Sequence, residues 1–556
     1  MEPDQGAIMS SLFFSLLRND SALQPKRWLW VAHDQLHPLL NPWAGEPPEE
    51  TGFIFIESAQ RGHARPYHRQ KLAFILSNLR HRALESQLEG HPVRYLSTTA
   101  TYGEALHSLS EKLGNIHVLR SPEREIREQL KPGLDDGSLL EHEHTGWLTT
   151  REQFLESVGS TPPFRMDTFY RHFRKSTGVL MEDNAPAGGK FSHDADNRQP
   201  WKGDPVPPEE PLFEEDDIDI EVKRFVLSQF PEHPGDVDMS RIPTSETQAR
   251  EAFEFSKSVL QHFGPHEDAF SEHSRGLFHT RLASVLHLHR LLPREVLEMA
   301  LASDAPLNSK EGFIRQLIWR EYMFHVHEVT DGFRSLEVPR TSAPCRDARW
   351  GDYKNGPQPH PTDSPLIDNE EKHPNRLQQT RPLPPAFWGQ ESGLRCLDAT
   401  TTAVMEDAWT HHIPRLMILG NLASLLDIHP RELTDWFHVA FIDAYDWVVE
   451  TNVLGMGTFA VGESMMTKPY ISGTPYIQKM GDHCQKCSFH PKKTCPISKL
   501  YWAFLERHGK AFEGNVRMAM PLRTLTRRSE DQKASDAEAF EWVSSTLSRG
   551  EVLYPD

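Results

Sequence analysis

KPYISGTPYIQKMGDHCQKCSFHPKKTCP, residues 468–496, carries three of the chain's five cysteines, Cys484, Cys487 and Cys495. A CxxC pair places two sulfurs on one tight turn facing one metal, and thiolates are strong ligands for both zinc and iron–sulfur clusters. A tetrahedral site needs a fourth ligand. Zinc can complete a Cys₃His set with His483 or His490. Two features speak for iron: Cys495 is followed by Pro496, as in ferredoxin runs, and a spare thiol, Cys396, opens a predicted helix and can be brought in by the fold. Cys345, in an irregular stretch, is a poorer fourth ligand. On chemistry alone both metals stay open.

Outward from this motif, 556 residues are enough for about two to four domains, each with its own core. The composition, 38% hydrophobic and 25% charged, is that of a soluble globular chain. No apolar run approaches a membrane span. The start, MEPDQGAIMSSLFFSLLRND, is acidic where a signal peptide needs positive charge, so a soluble leader is expected. Cysteines clustered at metal-type spacing favour a reducing compartment and a cytoplasmic location. The net charge of −19 argues against a nucleic-acid partner, but it is unevenly spread. Residues 209–221 hold eight acids and no base, whereas residues 486–528 hold ten Lys/Arg against two Glu. A repulsive linker and a basic face can share one chain.

Residues 28–150 alternate short apolar runs (WLWVA, FIFIE, VRYLS, IHVLR) with helical periodicity at 68–88 and 102–113. That pattern predicts a parallel α/β sheet wrapped by helices, whose ligands sit at the strands' carboxyl ends. The loop AHDQL, 32–36, lies at such an end. Residues 183–221 are rich in Gly, Pro and acids and are predicted as a loop and linker. From about 245 the chain becomes helical, with long helices predicted at 279–303, 311–329, 397–427, 430–450 and 497–509. Domain limits are set at 1–26 (extension), 27–150 (α/β), 151–244 (connector) and 245–556 (all-α), with a surface insertion at 343–380.

The motif at 468–496, together with GGKFSHDADNRQPW (188–201), LFHTRLASVL (277–286), EGFIRQLIWREYM (311–323), HHIPRLMILGN (411–421) and DWFHVAFIDAYDWVVETNVLGMG (435–457), resembles the iron–sulfur bacterial cryptochromes and photolyases, the prokaryotic (6-4) photolyase group. HDQL (33–36) and HRQKLAFILSNLRH (68–81) extend the resemblance into the α/β part. It implies a Rossmann-like antenna domain, a large all-α domain holding FAD, and a 4Fe–4S cluster on Cys396, Cys484, Cys487 and Cys495. It also implies a monomer acting on UV-damaged DNA by light-driven electron transfer.

The resemblance further assigns individual residues. Thr280 and Leu282 fall on the flavin's phosphate side, where helix N-terminal amides suit an anion. Arg415 and Asp443 face the flavin ring, and Glu450 follows the segment near its N5. His412 is assigned as general acid with His411 in support, a task suited to a group that titrates near working pH. Tyr470 and Tyr476 offer phenolic hydrogen bonds, and Gln316 and Trp319 meet a flipped base. Trp388 and Trp436 relay electrons. Asp34, Gln35 and Glu57 rim a 6,7-dimethyl-8-ribityllumazine antenna site.

Departures from the family pattern are Ala283 for a serine, His287 for an asparagine, Leu416 where eukaryotic relatives have a second histidine, Phe437 for a tyrosine, and His33 and Arg61 at the antenna. The chain is therefore expected to repair (6-4) photoproducts. A signalling photoreceptor with the same cofactors is the alternative, and a zinc-stabilised nucleic-acid-binding module is a third reading.

Overall fold

The computed structural model describes residues 11–18, 24–343 and 372–555, with two short strand segments at 348–349 and 358–359. Five strands, β1 (Arg27–Trp30), β2 (Thr51–Ser58), β3 (Val93–Thr98), β4 (Ile116–Leu119) and β5 (Leu139–His142), form one sheet in the order β3-β2-β1-β4-β5. Every pairing in it is parallel. Parallel sheets are covered on both faces, and β2 accordingly reads TGFIFIES, buried at every position but its last. The remainder of the chain is mostly helical, and its interior is continuous with one face of the sheet. Among the described residues no helix is long and apolar enough to cross a membrane.

Several predicted elements differ in their breaks. The expected helix at 279–303 is two helices, Ala283–His287 and Pro293–Ala302. Arg281 and His289 take left-handed backbone conformations (φ 56° and 48°), and a proline starts the second helix, where its missing N–H costs nothing. The expected helix at 397–427 stops at Asp407, because Ala408 is left-handed (φ 51°). His411 then caps a short helix that His412 opens, so the two histidines sit at a helix start and not on a mid-helix face.

The predicted connector contains three helices, Arg151–Val158, Met166–Thr177 and Asp217–Gln229. The acidic run 209–221 is spent on specific partners. Asp216 and Asp219 close a capping box, Asp216 pairs with His81 at 2.8 Å, and Glu221 pairs with Arg80 at 2.8 Å. Most of the predicted 343–380 insertion, with Cys345, lies outside the described residues. Its end is not a surface excursion: Asn375 and Gln379 are fully buried, and Gln379 donates to the Ser424 carbonyl at 2.8 Å.

Within the predicted extension, Leu12–Leu16 form a helical turn docked on the α/β domain. Phe13 is fully buried against Tyr95, ring centroids 4.6 Å apart, and Glu221 accepts from the Leu12 amide at 2.7 Å. Truncating a buried Phe costs about 3–5 kcal/mol, more than a single turn of helix can supply. Phe13→Ala is therefore expected to release the extension: limited proteolysis should cut within the first 26 residues of the variant while the remainder of the chain resists.

Candidate functional site

A cavity of about 320 Å³ opens inside the helical part, within the usual size range of ligand pockets, about 300–1,000 Å³. Its walls come from the helix Leu307–Thr330, the helix Pro430–Ala440 and the segments around 279–287, 409–416 and 443–457. Two of these walls are π-helical, Arg415–Gly420 and Glu450–Gly457. Such widened turns recur at functional sites because they turn side chains out of register.

Arg415 and Asp443 line the cavity as a two-pronged ion pair, with both N···O distances 2.9 Å. Burial opposes the Asp443 charge, but the Arg415 guanidinium outweighs it and holds the carboxyl below its usual range. Each Asp443 oxygen keeps a lone pair for a further donor. Thr280, Leu282, Gln316, Trp319, His411 and His412 also line the cavity. Gln316 is oriented by a 2.6 Å bond from its amide to Glu267. His411 is buried and stacks on His279 with ring centroids 4.0 Å apart. Burial first, then the neighbouring imidazoles and guanidinium groups, pushes both His411 and His412 well below the ordinary histidine pKa.

Other assigned residues lie elsewhere. Glu450 does not face the cavity. Its carboxylate accepts from His327 (3.0 Å), Arg334 (3.0 Å) and Arg431 (2.7 Å). Its neighbours Val448, Val449 and Asn452 line the wall instead. Tyr470 and Tyr476 are half-buried off the cavity wall, and the Tyr476 hydroxyl donates to Asp268 at 3.2 Å. Trp388 and Trp436 meet edge to face at 6.4 Å. Trp436 in turn contacts Phe437 at 5.1 Å, and Phe437 reaches the cavity.

The four cysteines converge. Cys396 is buried at the start of the helix Arg395–Asp407, and Cys484, Cys487 and Cys495 are half-buried nearby. Burial raises the Cys396 thiol well above its ordinary pKa, and the other three sulfurs are near enough to add to the shift. The Thr474 hydroxyl donates to Cys495 Sγ at 3.4 Å. Among the described residues, the ligand groups whose donor atoms all lie within 4.8 Å of one another are His279–His411–His412 and His81–Asp216–Asp219; the cysteines are not such a group.

A second cavity, about 90 Å³, lies between the sheet and the helical part, lined by Glu57, Arg61, Lys71, Tyr102 and Tyr445. Glu57 is taken by Arg80 (2.7 Å). Arg61 lies across the space to Glu123 and Glu125, at 2.6 and 2.5 Å. In the loop after β1, both Asp34 carboxylate oxygens and the Gln35 side-chain oxygen are buried without a hydrogen-bond partner among the described residues, though neither residue lines this cavity.

A (6-4) photolyase of Agrobacterium fabrum is 31% identical over 523 residues, 90% of this chain and 96% of that protein. The chain belongs to the photolyase–cryptochrome family. A family model described as deoxyribodipyrimidine photo-lyase-related protein matches residues 29–241. The fold is shared with a class III photolyase from Agrobacterium tumefaciens (TM-score 0.51, 15% identity, 95% of this chain and 100% of that one). It is also shared with a Synechocystis cryptochrome (TM-score 0.51, 13% identity, 94% and 99%).

In this photolyase-family chain, sequence reasoning missed His279, Asn452 and Phe437 as cavity residues. His279 stands inside the quoted LFHTRLASVL motif and was legible as a type. Its stacking on His411, 132 positions later, was not.

Burial raises the Asp34 carboxyl to about 7. A carboxyl whose folded pKa is raised contributes stability below its unfolded value near 3.8, and loses it as pH climbs through 7. Asp34→Asn should therefore raise the thermal midpoint at pH 8 and change it little at pH 4. An unchanged midpoint at pH 8 would show that Asp34 has a partner in the isolated protein.

Proposed function

We propose that the chain is a light-dependent repair enzyme for (6-4) pyrimidine–pyrimidone photoproducts in DNA, with reduced FAD in the 320 Å³ cavity. The observation that carries the reading is convergence: His411, His412, Gln316 and Trp319 line one cavity with the Arg415–Asp443 pair. The donor set fits a flavin. Asp443 keeps lone pairs for a ring N–H, Arg415 offers a fixed cation, and the apolar remainder of the wall suits a flat ring system. Reduced FAD, when bound and excited by light, supplies the electron that opens the lesion. The chain's own residues do the rest. Trp319 offers a face on which an unstacked base can lie, and Gln316 offers polar atoms to its edge.

His412 moves the proton. Its imidazole is neutral in the free protein, because burial disfavours the charged form. An anionic lesion set against it reverses that balance and raises its pKa, so it takes up a proton and delivers it on contact. His411, stacked on His279, keeps His412 in place. Phosphates are assigned to the basic stretch 486–528, of which Lys492, Lys493, Lys510, Arg517, Arg523 and Arg527 are exposed. Lys468 adds to it; after burial, Arg517 and Arg198 are the charges that depress its pKa. A lesion-bearing duplex should therefore bind more weakly as salt rises.

Repair of an oligonucleotide with one (6-4) lesion, under blue light against a dark control, tests the reading. Restoration is expected with the native chain and a loss of about 100-fold or more in His412→Ala, the scale of one general acid. A flavin-loaded chain that binds the lesion and restores nothing would instead support a blue-light photoreceptor, which uses the same cavity without repair.

The four cysteines are assigned to a 4Fe–4S cluster, supported by their convergence and by the Cys-Pro ending of the motif. Purified protein should carry about four iron atoms per chain, and Cys396→Ser should lose most of them together with thermal stability. Zinc in their place would overturn the assignment. For the lumazine, the unpartnered side-chain acceptors of Asp34 and Gln35 are of the type a ligand rich in N–H and O–H donors needs, but neither residue lines the cavity that Glu57 lines. The room does not fit: 90 Å³ is well under the about 300 Å³ of the smallest typical ligand pockets. Binding there requires Arg61 to leave Glu123 and Glu125.

A further inference from the structure

An open parallel sheet offers a ligand the crevice outside the carboxyl ends of its strands, at the point where the strand order reverses. The order β3-β2-β1-β4-β5 puts that point between β1 and β4. Three segments meet at this end of the sheet. His33 follows β1, and Arg61 stands in the short helix Ala59–His63 after β2. Glu123 caps, and Glu125 opens, the helix Arg124–Asp135 after β4. His33, Arg61 and Glu123 line the 90 Å³ cavity. We propose that in this chain the crevice is closed by a charged bridge centred on Arg61, which excludes 6,7-dimethyl-8-ribityllumazine.

The bridge crosses the switch point. From the β2 side, the Arg61 guanidinium reaches Glu123 at 2.6 Å and Glu125 at 2.5 Å on the β4 side. Arg65 adds a second guanidinium to Glu125 at 3.1 Å. His33 Nε2 stands 3.1 Å from the other Glu123 oxygen. Glu123 is sealed from water. Burial opposes its charge, yet Arg61 first and His33 after it bring the carboxyl down to about 2. The acid therefore stays ionised and needs its cation.

A lumazine cannot replace that cation. Its ring and polyol chain offer hydrogen bonds but no positive charge. Its entry would swing Arg61 away and leave Glu123 with His33 alone, and removing one member of a buried charge set is strongly unfavourable. The other walls do not yield the space. Glu57 is spent on Arg80 at 2.7 Å and on the Tyr95 hydroxyl. Phe230 packs so closely on the helix backbone that a Cβ at Gly62 would meet its ring at 2.8 Å. The closing groups, Arg61 and His33, are the two positions of this region that depart from the family pattern. The exclusion stands apart from the repair reading, because it concerns only what the α/β crevice admits.

The test uses the full-length protein and 6,7-dimethyl-8-ribityllumazine itself, without DNA. Protein is incubated with an excess, passed through a desalting column, and the retained lumazine is measured by its fluorescence after acid denaturation. A fluorescence titration gives the affinity. The native chain is expected to retain none. Arg61→Ala/Glu123→Gln removes the bridge and its buried charge together and frees the volume of the Arg61 side chain. It should bind lumazine at least about 100-fold more tightly than the native chain, the scale of a broken buried charge set. A thermal melt checks that the variant is folded. Lys131→Ala, at an exposed lysine of the same domain, should behave as the native chain. Stoichiometric lumazine on the native protein would overturn the proposal. So would a folded double variant that binds no better than the native chain, since Arg61 would then not be what closes the crevice.

Discussion

Glu450 is a carboxylate sealed from water, 3% exposed, and the arrangement of the helical part depends on how its charge is met. Three hydrogen-bond donors do so: His327 on the helix Leu307–Thr330, Arg334 just beyond it, and Arg431 on the helix Pro430–Ala440. Arg431 is shared with Asp435 at 2.7 Å. Burial works against the Glu450 charge, yet these partners hold its carboxyl well below the usual range. Breaking such a buried set by removing one member costs about 3–5 kcal/mol. Gly332 belongs to the same constraint. Its backbone is left-handed (φ 59°), and a Cβ there would collide with a Glu450 oxygen. The pairing joins the two helices and the π-helical stretch that wall the large cavity, although Glu450 itself does not line it.

The junction of the α/β and helical parts follows the same logic of buried charge. Lys71, on the first long helix of the α/β part, is 2% exposed. It donates to the carbonyls of His438 and Ala444, and burial lowers its pKa to about 7. The loop after β1 is clamped from the other side. The Leu36 amide donates to the Leu288 carbonyl at 3.0 Å, and His289 Nδ1 bonds the Asp34 carbonyl at 2.7 Å. These bonds set the carboxyl ends of β1 and β2 against the segment 438–445, whose far side is the wall of the large cavity. The acids of 209–221 are consumed at the same junction and beside the cavity, by His81, Arg80 and Arg281. Much of the −19 charge therefore coexists with a basic surface at 486–528.

The proposed repair chemistry rests on burial. It disfavours the charged form of His279, His411 and His412, and a neutral imidazole is a base that waits for an anion.

Local pattern determined a good deal. The alternation in 28–150 matches four of the sheet's five strands, β1 to β4, since periodicity and β-branched content act within a few residues; β5 (Leu139–His142), whose sequence LLEH has little of either, was not among the runs. The helix at 311–329, the turn-rich cysteine segment and the ligand types of the cavity were legible for the same reason. Left-handed breaks at Arg281, His289 and Ala408 were not, because L-residues enter that region only when tertiary packing compensates them. The partners of Glu450, which turn it to His327, Arg334 and Arg431 and leave it off the cavity wall, were not legible either, because they lie up to 123 positions away. Tyr470 and Tyr476 matched a motif, yet neither lines the cavity, and the Tyr476 hydroxyl is directed to Asp268. The sequence by itself determined which chemical groups this protein carries. Only the tertiary structure decided which of them share a cavity, because burial, charge pairing and the stacking of His279 on His411 join positions that are distant along the chain.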